Sequence, residues 1–208
     1  MRLVATTLNV LLALVYPFAV WWSLSHFGAR EVGLVLIAVL LPALALRFRS
    51  AERAHLWPVL RLPLLVMGVL LLGVLFDDAR YVLATPVLIN LALLAAFASS
   101  LFGEMPIVER FARLQEPDLT EPKRAHCRQA TVAWCVFFAL NAAVTAALAL
   151  AAPLSWWAAY TGGVAYGLMG LMFAGEYLVR HYRFREYGPG LHHRLLARLF
   201  PPRHGGDA

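Results

Sequence analysis

The sequence predicts an all-α protein: a polytopic bundle of about six transmembrane helices with both termini in the cytoplasm. Three observations carry this. Of the 208 residues, 61% are hydrophobic and only 14% charged, against about 25% charged in soluble domains. Mean hydropathy is +0.68. Several apolar runs approach or exceed the roughly 18 residues that mark a membrane helix.

Six such runs follow in order, at about 3–24, 32–46, 59–76, 81–102, 130–152 and 156–179. The first follows Arg2 as a signal peptide would. It ends, however, in Trp21 and Trp22 rather than in a small-residue cleavage site, so a retained helix with an interfacial anchor is expected. The second is short. In the fifth and sixth, Ala139, Ala143, Ala147 and Ala151 recur every four residues, as do Ala159, Gly163 and Gly167, with Gly170 and Ala174 beside them. Small residues at this spacing let membrane helices approach closely. They are expected to face each other across a hairpin turned at Pro153, or else to form a homodimer seam.

Orientation follows from the Lys and Arg in the connections. With six spans, sixteen of the eighteen fall on the side that holds the termini, the second loop and the fourth loop. Only Arg30 and Arg80 fall opposite. The expected organisation is a bundle over 1–180, a cytoplasmic amphipathic loop at 103–128, and a basic cytoplasmic tail at 181–208.

That loop is the one long charged segment, with five basic and five acidic residues between Glu104 and Arg128. In "PIVERFARL", Ile107, Val108, Phe111 and Leu114 fall on one helical face, and Glu109, Arg110 and Arg113 on the other. A short helix lying in the membrane interface is predicted, opened by Pro106. "QEPDLTEP" ends it, and Thr120 with Pro122 reads as the start of the next helix. The candidate interaction surface is Pro106, Ile107, Arg110, Phe111 and Arg113; a plain connector that sets topology is the simpler reading.

Ionisable and amide groups inside spans are the other candidates. Glu176 lies four residues before Arg180, at pairing distance on a helix. Asn90 and Asn141 are placed to cross-link helices or line a cavity. Together Glu176, Asn90 and Asn141 form the candidate intramembrane polar site. Cys127 and Cys135 are eight residues apart, roughly 12 Å along a helix, too far for a disulfide. The residues spell no metal-ligand spacing, no phosphate loop and no nucleophile motif. No catalytic residue, cofactor or metal is therefore expected, and an enzyme is disfavoured. The net charge of +6 flanks apolar runs, which argues for lipid headgroups rather than nucleic acid.

"MPIVERF", then "TVAWCVFFALNAAVTAALAL", then "YLVRH" resembles the intracellular septation protein A family. Pro106, Ile107 and Arg110, then Trp134, Phe137, Phe138 and Asn141, then Tyr177, Arg180 and His181 carry the resemblance. "FDDARYVLATPVLIN" at 76–90 sits where that family has a charged outer loop. The longer loop "GEMPIVERFARLQEPDLT" is more similar to a related group of small bacterial inner-membrane proteins, some encoded among genes for aryl polyene pigments. The first resemblance implies support of envelope or septum assembly through cell-division or envelope-synthesis membrane proteins. The second implies a setting of lipid synthesis and export. Neither implies catalytic residues. Membrane lipids and a second copy of the chain are the remaining expected partners. The alternative function is a small transporter or lipid-handling protein with a cavity near Glu176 and Asn141.

Overall fold

A computed structural model describes residues 15–50, 56–185 and 201. The start of the first apolar run, the loop at 51–55 and most of the basic tail lie outside the described residues. The described chain is helical: α1 at 15–26, α2 at Ala29–Ser50, α3 at Leu56–Phe76, α4 at Ala79–Leu101, α5 at Ile107–Arg113, α6 at Glu121–Ala151 and α7 at Leu154–Phe184. Three of these, α4, α6 and α7, are long and apolar enough to cross a membrane. The apolar part of α3, Leu62–Phe76, is shorter.

The chain forms two compact units. The first takes the residues up to Ala96 together with Cys135–Tyr166; the second takes Phe97–Trp134 and the chain from Gly167 on. The long helices α6 and α7 each contribute a part to both.

In the first unit, Val20, Val32, Leu70, Val82 and Trp157 form the buried core. The α2–α3 hairpin closes through backbone chemistry. Asp77 adopts a left-handed conformation, φ 51°, just past the end of α3, which aspartate tolerates better than most side chains. Its carboxylate accepts from the Arg30 backbone N–H at 2.8 Å and so caps α2. Arg30 Nε returns to the Val74 carbonyl at 3.1 Å.

The sequence predicts α4 as one uninterrupted run, but it breaks at Ala84. Pro86 has no N–H to offer the preceding turn. The fully buried Trp157 indole donates to the Leu83 carbonyl at 3.2 Å, so the break leaves that group satisfied, as a water-free setting requires. In α7 the backbone widens to a π turn over Tyr160–Val164, the kind of bulge that often marks a functional or strained position.

The small-residue stripes are not the hairpin's contact surface. Ala139, Ala143, Ala147, Ala151, Ala159, Gly163, Gly167, Gly170 and Ala174 are all exposed. A methyl group added at Gly163, Gly167 or Gly170 meets nothing within 4 Å. Beyond Ala130, the buried positions of α6 are instead Thr131, Trp134, Phe138, Asn141, Ala142 and Thr145. Trp134, Phe138 and Asn141 set the inward phase of the helix, which turns the stripe outward.

Close backbone approach occurs at Gly33, where an added Cβ would come within 2.8 Å of the Val74 methyl and 3.5 Å of the Leu70 carbonyl. Valine is stiff at χ1 and cannot swing away cheaply. Gly33→Ala is therefore expected to lower stability by about 1–3 kcal/mol. Gly68→Ala, with open space around it, is expected to raise stability by about 0.5–1 kcal/mol. Thermal unfolding of the two variants in one detergent measures the contrast.

Candidate functional site

The charged segment folds back on its own unit. Ser100 Oγ donates to the Phe97 carbonyl at 2.7 Å and accepts from the Ile107 N–H at 3.0 Å. The end of α4 is thus stitched to the first turn of α5, which Pro106 opens. Arg128 Nη1 donates to the Leu101 carbonyl at 3.1 Å, a cation at the carbonyl end of α4 where the helix dipole favours one.

Glu109 is the centre of the arrangement. Its place on the polar face of α5 suggested exposure, yet it is buried at 6%. Arg113 Nη2 and Nε reach its Oε1 at 2.8 and 3.0 Å, and Arg124 Nε at 3.4 Å. A seven-residue helix cannot bury its apolar face and this carboxylate together. The paired carboxylate goes inward with Ala112, while Phe111 and Leu114 stay exposed, at 64% and 80%. Val108 packs inward too, against Ala112, Leu119 and Cys127; the predicted apolar face is divided between the two sides. Of the candidate surface, Pro106 is buried, Ile107 and Arg113 are half-buried, and Arg110 and Phe111 are exposed.

A second layer of charge lies beside the first. Lys123, 5% exposed, donates to Glu116 Oε1 at 2.6 Å. Arg180 Nη2 stands 3.7 Å from the other oxygen of Glu116. The expected pairing of Arg180 with Glu176 on α7 therefore gives way to Glu116, whose loop position lets it meet two cations. Glu176 faces α6, with Oε1 3.5 Å from His126 Nε2. Arg183 Nη1 donates to Gln129 Oε1 at 2.6 Å and faces His126 Nδ1 at 3.5 Å. A guanidinium can only donate, so Nδ1 takes the accepting role and the ring proton sits on Nε2.

The amides Asn90 and Asn141 meet in the first unit. Asn141 Nδ2 donates to Asn90 Oδ1 at 2.9 Å, Tyr160 Oη donates to Asn141 Oδ1 at 2.8 Å, and Asn90 Nδ2 donates to the Pro86 carbonyl at 2.8 Å. Both amides are buried. They bond to each other rather than present themselves to a ligand, and Glu176 belongs to the other unit's network. The sequence reading missed Ser100, Lys123 and His126. Among the described residues, no group of His, Cys, Asp and Glu could hold a metal ion, and both cysteines are free.

No family model, curated protein or solved structure matches the chain.

Removing the Glu109 carboxylate leaves two guanidinium groups without their shared partner. Full burial of such a pair makes breaking it cost 3–5 kcal/mol. Arg113 and Arg124 are partly solvated, at 30% and 47% side-chain exposure, so Glu109→Ala is expected to destabilise by about 2 kcal/mol. Glu121→Ala removes a pair whose carboxylate is 84% exposed and is expected to cost under about 0.5 kcal/mol. Thermal melts of the two variants against the parent separate these outcomes.

Proposed function

We propose that this chain is a multi-pass protein of the bacterial inner membrane that supports cell-envelope or septum assembly by contact rather than by catalysis. One observation carries the reading: α5 is pinned from within by the Glu109 ion pairs and turns Arg110, Phe111 and Leu114 outward. Phe102, 92% exposed, adds a further unburied ring in the same unit. A rigid helix that presents aromatic and aliphatic side chains beside a cation suits a membrane interface or a partner helix lying in it. Preorganisation favours binding, because little ordering entropy is lost on contact.

The proposed topology is six spans with both termini cytoplasmic. It is supported by the sixteen-to-two division of Lys and Arg and by the three helices long enough to span. The proposed partners are membrane lipids and membrane proteins of division or envelope synthesis. The resemblance to the septation protein A family, carried by Pro106, Ile107 and Arg110 among others, supports that partner class.

Two measurements test this. Photo-crosslinking from position 111 in intact membranes is expected to capture an envelope or division protein, and Arg110→Glu with Leu114→Ser is expected to reduce capture severalfold at unchanged protein level. Recovery of no such protein counts against the reading. A reporter active only in the periplasm, fused after Ala208, is expected to stay silent; activity there overturns the six-span topology.

A further inference from the structure

A groove of about 300 Å³ runs between the first turns of α6 and the last turns of α7, within the second unit. That volume lies at the lower end of the range for ligand sites. One wall is apolar, built from Ala130, Ala133, Trp134, Leu171 and Met172; one end is polar, with His126, Gln129, Glu176 and Arg183. His126 and Trp134 are eight residues apart on α6, so the groove extends about 12 Å from its charged end to its apolar floor. Trp134 meets Phe173 there at 4.6 Å between ring centroids.

Three features restrict what fits. The polar end presents both signs of charge: the exposed Arg183 guanidinium and the Glu176 carboxylate, 24% exposed. His126 is buried, with Nε2 3.5 Å from the Glu176 carboxylate and Nδ1 3.5 Å from Arg183 Nη1, so its ring spaces the two charges apart. Finally, the apolar wall begins at Ala130, where the charged start of α6 gives way to its apolar run, which is where a headgroup meets its acyl chain.

We propose that this groove binds a zwitterionic aminophospholipid of the phosphatidylethanolamine class. Its phosphodiester meets Arg183, its ammonium meets Glu176, and one acyl chain lies along Ala130, Ala133 and Leu171. A glycerol headgroup shares the phosphate contact but gives Glu176 no cation. A choline headgroup is cationic but carries no N–H to donate. This site is separate from the contact surface on α5 and does not depend on it.

The test uses the full chain in detergent, titrated with phosphatidylethanolamine, phosphatidylglycerol or phosphatidylcholine carrying dibrominated acyl chains. Quenching of tryptophan fluorescence reports occupancy. The ethanolamine lipid is expected to bind about tenfold more tightly than the other two, with most of the quenching lost in Trp134→Phe. Glu176→Gln is expected to bring the three lipids to equal affinity. Gly175→Leu places a side chain in open space at the groove and is expected to abolish saturable quenching. Equal affinity of the parent for all three lipids overturns the proposal, as does saturable quenching that survives Gly175→Leu. Should Glu176→Gln fail to fold, the parent's lipid preference and Gly175→Leu still decide.

Discussion

A buried carboxylate has to be neutralised from within the chain, and the shape of the second unit follows from how Glu109 meets that demand. Desolvating an ion costs several kcal/mol unless a countercharge stands close with good geometry. Arg113 supplies one from the next turn of the same helix and Arg124 another from α6. Satisfying Glu109 therefore fixes α5 against the start of α6. Lys123 on α6 is the buried member of a second pair, met by the partly exposed Glu116, which also faces Arg180 of α7. Two carboxylates thus draw three segments of the second unit together through specific ion pairs.

The first unit answers the same demand with neutral groups. The chain Tyr160–Asn141–Asn90–Pro86 ties α7 to α6 and α6 to α4. Each amide bonds to a group whose only alternative is to stay unpaired in an apolar medium. Trp157 and the Leu83 carbonyl complete one another in the same way. At the break in α4, Trp157 pairs the Leu83 carbonyl.

Apolar run length made the helices legible in the sequence, and turn chemistry made their limits legible. The helix expected to begin past Thr120 starts at Glu121, and the α5 segment forms between Pro106 and the proline-broken turn. What periodicity could not supply was the phase. Counting apolar residues identifies the face that avoids water, and in lipid that face can be the outside. Hence Glu109, expected outward, lies buried, while Ala139, Ala143 and Ala147, expected at the hairpin contact or else at a homodimer seam, lie exposed. The site residues missed share a second cause. His126 and Arg183 are separated by 57 positions; only tertiary structure makes such residues neighbours. His126 stood out by no local spacing at all.

The proposed topology and the fold ask physically distinct things of the loop's cations. Topology depends on the number of positive charges beside a span and is indifferent to whether they are Lys or Arg. The fold depends on geometry: Arg113 places Nε and Nη2 on the same Glu109 oxygen and Nη1 on the Pro117 carbonyl. A lysine at that position keeps the charge, but it is a single ammonium on a flexible stem and cannot make those three bonds as a preformed fork. Lys123 is the converse case, since one short bond to Glu116 suits a compact ammonium at a buried site. The charged segment of an otherwise apolar chain is thus more than a topology signal: its individual residue types record which internal partners they hold.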